Sequence, residues 1–358
     1  MIARKNNILI ILIILSVGIH FYAQNEIRVE LQYSKLVYPI ISKFLRLIFG
    51  WIPISIGDVF YLILSCWLIW IIVNFSRRII FRKPGNCSFR ESIFKIVGLL
   101  LTIYIVFNFF WGINYSRRGI SSQLELNAGQ YDSIQLRRIN QLLLQKVNET
   151  KDSVIKSNTV ISDHKLLFIA AAEAFQSTSA KYDFMKYKYS SIKPSMWGWL
   201  GNYLGFTGYY NPFTGEAQVN TTVPAFLQPY IACHEIAHQL GYAKENEANF
   251  VGYLAAKNSN NYLIQYSAYL ELFMYANRTL YILDSGSSMR LRDQLTPSVK
   301  KDIKEWRDFI KSHENPIEPL ITYWYGFFLK NNRQPKGLMT YNEVTSLLIH
   351  YYQKTGEI

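Results

Sequence analysis

Three apolar runs in the first third of the chain constrain its fold more than any other feature. Residues 8–23 read ILIILIILSVGIHFYA, residues 59–75 read VFYLILSCWLIWIIVNF, and residues 93–111 read IFKIVGLLLTIYIVFNFFW. Each approaches spanning length with almost no charge, which predicts three transmembrane helices. The first follows Arg4 and Lys5 as a secretory signal would, but HFYAQNE offers no small-x-small cleavage pattern, so an uncleaved anchor is expected. Trp51, Tyr61, Trp67, Trp70, Tyr104 and Trp111 lie in or beside these runs, several near the ends where interfacial rings collect.

Charge sets the orientation. The loop between the second and third runs carries Arg77, Arg78, Arg82, Lys83, Arg90 and Lys95 against Glu91, and such loops are retained in the cytoplasm. The N-terminus is therefore expected inside, and residues 116–358 outside. Of the net +13, residues 1–115 account for +8, so most of the excess follows from topology. The remaining basic residues are scattered, which argues against a nucleic-acid partner. Cys66 falls in a run, Cys87 in the inside loop, and Cys233 is left without a disulfide partner in the outer part.

Two units follow: a membrane anchor over 1–115 and an extracytoplasmic domain over 116–358. Residues 25–58 are too polar to span; their helical spacing from Leu36 to Ile48 predicts a segment along the outer membrane surface, ending in a turn at Pro53 and Gly57. The outer domain opens with helical patterns at 133–154 and 164–182, the latter capped by Ser162 or Asp163. GFTGYY and EAQVNTT read as extended segments joined by NPFTGE. Helical character resumes at Pro224 and persists almost to Ile358, with loops near DSGSSM and HENP. The fold class expected is thus α+β, mostly helical, with a small antiparallel sheet.

The chemistry concentrates in CHEIAHQLGYAKENEANF, residues 233–250. His234 and His238 stand four apart and project from one helical face, close enough to share one ion, with Glu235 beside the first. Zinc hydrolysis needs two imidazoles, a third ligand, a place for water and a carboxylate to take that water's proton. Pro224 or Pro229 suits the first turn of the helix and Gly241 its left-handed end. Cys233 points about 100° away from His234 and is read as a packing residue.

A third ligand must follow the turn, from Glu245 or Glu247, which lie about 200° apart on a helix. Glu245 is preferred: it shares a face with Ala248, Asn249, Gly252 and Ala256, small residues that permit close approach to the HExxH helix. Asn249, one turn on, is placed to steady an imidazole or Glu245.

HEIAHQLG followed by ENEAN resembles the gluzincin-type zinc peptidases, in which HExxH is joined by a Glu on a later helix. HExxHxxG is also the metzincin spelling, but the last metzincin ligand would fall on Lys244, which cannot serve. The layout of three N-terminal membrane helices with IPISIGD, WGINYSRRG, YNPFTGEAQVN, the HExxH segment and FLKNNRQPKGLMTY resembles the bacterial membrane family catalogued as domain of unknown function 3810. These resemblances imply a zincin-like domain holding Zn2+ through His234, His238 and Glu245, with Glu235 as general base. They also imply an edge strand for an extended substrate within GFTGYYNPFTGEAQVN, unless that segment is a structural hairpin. An oxyanion partner would come from Tyr323, Tyr325, Arg278 or His350. His20, His164 and His313 are read as ordinary residues.

The expected function is a membrane-anchored zinc metallopeptidase in the bacterial inner membrane, multi-pass, with its catalytic domain periplasmic and a peptide or protein as substrate. Alternatives are another zinc hydrolase, such as a cell-wall peptide amidase, or a sensor or assembly factor that holds metal without catalysis. The intramembrane-protease alternative is disfavoured because the HExxH segment is short and polar at both ends.

Overall fold

The computed structural model describes residues 2–80, 89–127, 129–159, 161, 163–334 and 341–358. The chain begins with α1 (Ile2–Ala23), a single turn α2 (Glu26–Arg28), a π-helical stretch over Val29–Val37 and α3 (Tyr38–Phe49). Two long helices follow, α4 (Ile56–Ile80) and α5 (Phe89–Phe110). Among the described residues, Ile56–Asn74 and Ile93–Phe110 are long and apolar enough to cross a membrane. The first run stands differently from the three-span expectation. Asn7–Ala23 joins them only if it and Glu26–Phe49, which meet at a 94° bend, make one broken span. A helix rises about 1.5 Å per residue, so the straight apolar part of α1 falls short of a hydrocarbon core about 30 Å thick. Most of the loop expected on the inside, residues 81–88 with Arg82, Lys83 and Cys87, lies outside the described residues.

The expected turn at Pro53 is present, whereas Gly57 stands in the first turn of α4. The Glu216 carboxylate accepts the backbone N–H groups of Ile56, at 3.2 Å, and Gly57, satisfying two donors that a helix start leaves open. A Cβ at Gly57 would meet Gln218 Nε2 at 2.6 Å, so the side chain is absent because the sheet passes close by.

After a 3₁₀ turn over Gly112–Ser116, the chain runs through α6 (Gly119–Gln123), α7 (Ser133–Lys156), α8 (His164–Thr178), β1 (Ile192–Pro194), α9 (Gly198–Leu204), β2 (Gly208–Asn211) and β3 (Glu216–Val219). It then becomes helical: α10 (Gln228–Gln239), α11 (Glu245–Lys257), α12 (Tyr262–Leu283), α13 (Ser285–Asp293), α14 (Pro297–Ser312), α15 (Glu318–Asn331) and α16 (Tyr341–Thr355). Asp163 caps α8 through Lys165 N; Ser162 lies outside the described residues, as do 335–340. DSGSSM, expected as a loop, instead opens α13, because the Asp284 side chain accepts from Ser287 N.

The sheet is mixed rather than antiparallel, in the order β1-β3-β2. β2 and β3 form the expected antiparallel hairpin, but β1 runs parallel to β3. One reversal through α9 and a second through the hairpin bring the chain back in its starting direction. β1 is three residues long, too short to register as an alternating pattern.

The main core packs α7 along α12, with α8, α10, α11 and α16 closing around it. A smaller cluster gathers Val29, Tyr33, Tyr38, Trp111, Ile113, Tyr115 and Ala243. Through it the N-terminal segment reaches the end of α10: Tyr38 Oη lies 3.2 Å from the Gln239 carbonyl, and Ser42 Oγ donates to the same oxygen at 2.9 Å.

Candidate metal centre

The HExxH residues occupy the second half of α10, which has Pro229 in its first turn and ends where Gly241 turns left-handed at φ +89°. The α11 helix crosses it backbone to backbone. A Cβ at Gly252 would lie 3.1 Å from His234 N, so the small-residue stripe lets the helices meet. That approach brings Glu245 over the two imidazoles. His234 Nε2 and His238 Nε2 are 3.1 Å apart, Glu245 Oε2 is 3.3 Å from the first, and Glu245 Oε1 is 3.7 Å from the second. All three donor atoms lie within 4.8 Å of one another.

The far side of each ring decides what these atoms can hold. His238 Nδ1 stands 2.7 Å from the Tyr242 carbonyl, which only accepts, so that nitrogen carries the proton and Nε2 presents a lone pair. His234 Nδ1 meets Asn249 Oδ1 at 2.9 Å with the same result. Two lone pairs and a carboxylate then face one point, an arrangement that repels itself unless a cation or a proton lies between. Burial works against charge on His234, but the Glu245 hydrogen bond and the charges of Glu235 and Glu245 outweigh it and lift the ring to about 9. Burial holds His238 down, to about 4. Burial also opposes the charge of Glu245, yet its bond to His234 and both imidazoles bring it to about 2. The donor set fits a zinc ion: two neutral imidazoles and one ionised carboxylate, oriented by a backbone carbonyl and an amide.

Glu235 lines the same cavity as these residues without being one of the three clustered donors. It is buried, and its Oε2 has no hydrogen-bond partner among the described residues. A Cβ at Gly208 of β2 would stand 2.6 Å from Glu235 Oε1, so the edge strand's bare backbone forms the wall beside the carboxylate. Burial pushes Glu235 up to about 8, with the His234 charge lowering it less than burial raises it. A buried carboxylate of that basicity is suited to exchanging a proton near neutral pH.

Glu247 is directed elsewhere. Its Oε1 lies where a Cβ of Gly119 would be, 2.2 Å away, and 3.5 Å from Lys244 Nζ. Of the four residues expected to supply an oxyanion donor, Tyr325 reaches the centre, donating to Glu245 Oε1 at 2.9 Å. Tyr323 is 67% exposed on the outer side of α15, Arg278 is exposed on α12, and His350 Nδ1 donates to the Ser346 carbonyl at 2.7 Å. His20, His164 and His313 lie outside the cluster. Cys233 is buried, its thiol raised to about 12 by burial.

A cavity of about 800 Å³ opens beside the centre, bounded by β2, α9 and α15 and by Trp111, Tyr230 and Glu271. Sequence reasoning missed several contacts that build this region. Trp111 lies edge-on to His238 with ring centroids 6.0 Å apart. Arg117 donates to the Gly241 carbonyl at 3.0 Å while its Nη2 and Nε pair with Glu30 at 3.0 Å. Asp58, in the first turn of α4, accepts from Tyr209 of β2 and, at 2.7 Å, from Met196 N. These partners stand tens to more than a hundred residues apart, and no local pattern marks them.

A family model described as Protein of unknown function (DUF3810) matches residues 33–349, most of the chain. No curated protein and no solved structure matches it.

Proposed function

The chain belongs to the DUF3810 family, and we propose that it is a membrane-anchored zinc metallopeptidase acting outside the cytoplasm. The observation that carries this reading is the convergence of two tautomer-locked imidazoles and Glu245 beside a buried Glu235 oxygen with no partner among the described residues. A purely structural metal site needs no such base. The basic residues flanking the α4–α5 connection, Arg77 and Lys95 among them, support an inside loop and hence an outside domain.

His234, His238 and Glu245 would hold the ion. When bound, zinc supplies a Lewis acid that acidifies water and polarises a carbonyl oxygen. Glu235 Oε2 takes one proton from the attacking water and passes it to the departing nitrogen. The new C–O bond forms as the C–N bond breaks, leaving a carboxylic acid and an amine with no redox change. Tyr325, hydrogen-bonded to Glu245, orients that carboxylate and stands beside the region where negative charge develops on the substrate oxygen. β2 is an edge strand of the sheet, on the side that borders the cavity, so its backbone is available to pair with an extended chain.

The deciding experiment uses the full chain in detergent. About one zinc per chain is expected by metal analysis, lost in His238→Ala and kept in Glu235→Gln. Cutting of a peptide library by the wild type should fall by roughly two to four orders of magnitude in Glu235→Gln. Equal cutting by both proteins would remove Glu235 from the reaction; full zinc in His238→Ala would remove the site.

A further inference from the structure

The centre lies beside the end of an apolar helix. Phe110 closes the second span-length segment, and the next residue, Trp111, has its ring against His238. The first turns of α4 contribute Asp58 and Tyr61 to the cavity wall, and α5 contributes Phe107. The same-side ends of both span-length helices therefore form part of the cleft.

Another wall of the cleft is α15. Its inner face gives Ile321, Tyr325 and Phe328 to the cavity, and Phe328 meets Phe107 with ring centroids 6.5 Å apart. Its outer face is apolar and bare: Leu320, Tyr323, Trp324 and Phe327 are 57%, 67%, 59% and 54% exposed. Neighbouring α9 adds Trp199 and Tyr203, also exposed. Water-facing surfaces rarely carry so continuous an apolar patch, and Trp and Tyr collect at the membrane–water boundary. The contact of Phe328 with Phe107 packs α15 against the end of α5, whose own apolar surface is exposed, so the same occupant, lipid, covers α5 and the bare outer face of α15.

We propose that the cleft opens at the outer membrane surface, with α15 and α9 dipped into the leaflet, and that its substrate is a membrane-anchored polypeptide cut close to where it leaves the bilayer. The substrate half rests on the peptidase reading; the position of the cleft does not. With the centre one aromatic ring from the end of α5, and an extended chain rising about 3.3 Å per residue, the cut falls within roughly the first ten residues outside the span.

Two readouts test the halves separately. In the full chain reconstituted in phosphatidylethanolamine–phosphatidylglycerol vesicles, a photo-reactive benzoylphenylalanine at Trp324, or in a second variant at Tyr203, should form lipid adducts. A control at Ile155, exposed at the far end of α7, should yield at least about ten-fold fewer. Equal adducts at Ile155, or crosslinks from Trp324 to a second copy of the chain and none to lipid, would overturn the position of the cleft. In the same vesicles the substrate probe is a single span of about 20 Leu and Ala residues with a mixed-sequence tail. A twin carries the tail beyond a 20-residue proline-rich spacer, a stiff rod of about 3.1 Å per residue. Cuts near the span, falling at least about ten-fold in the twin, are expected for this geometry. Equal cutting of both overturns the substrate class. If zinc-loaded protein cuts neither, the peptidase reading falls and the substrate class with it, while the lipid adducts still decide where the cleft opens.

Discussion

Asn249 Oδ1 on α11 lies 2.9 Å from Nδ1 of His234 on α10, so the helix that brings Glu245 also orients the imidazole facing it. Asn249→Ala removes that acceptor and frees the ring to rotate or change tautomer. Zinc affinity, measured by competition with a chromophoric chelator, should fall about 10- to 100-fold. An unchanged affinity would show that packing alone orients the ring.

The two acidic residues of ENEAN should separate cleanly. Glu245→Gln replaces a proposed ligand and should lower zinc affinity by orders of magnitude. Glu247 faces Gly119 and Lys244, so Glu247→Gln should keep zinc at wild-type stoichiometry. The reverse pattern would exchange their roles.

Gly208 has no room for a side chain. Its Cβ would stand 2.6 Å from Glu235 Oε1 and 3.0 Å from the Gln218 carbonyl, the second being backbone that cannot swing aside. Gly208→Val should therefore displace Glu235, lowering turnover at least about ten-fold while zinc content stays at one. Full activity in this variant would mean that the carboxylate does not work from its observed position.

Glu30 and Arg117 make a buried ion pair, and Arg117 also holds the Gly241 carbonyl at the end of the HExxH helix. Removing one partner leaves an uncompensated charge, a loss of about 3–5 kcal/mol. Arg117→Met should show this as a large drop in melting temperature in detergent, and Glu30→Gln with Arg117→Met should recover part of it. A double variant no better than the single would show that the contact to Gly241 dominates.

Reporter fusions probe the orientation. Fusions after residue 115 should read as extracytoplasmic and fusions between 77 and 92 as cytoplasmic, because that connection carries the dense Arg and Lys cluster. The opposite pattern would place the centre inside the cell.

What the sequence determined by itself is what repeats over a few residues. Four-residue spacing puts His234 and His238 on one helical face, the left-handed Gly241 ends that helix, and the small residues following Glu245 allow close contact. Each property belongs to a single helix, where one residue's direction follows from its neighbour's. The short β1, the start of α13 at DSGSSM and the place of Gly57 inside α4 were not legible, because each depends on a partner strand, a cap or a passing sheet. Only the tertiary structure decided which atoms stand behind the imidazoles, which backbone walls Glu235, and that Trp111 beside His238 follows directly on the last residue of a span-length helix. The longest of those relationships joins residues more than a hundred positions apart. Their distances are set by how whole helices pack, and local periodicity carries no information about that.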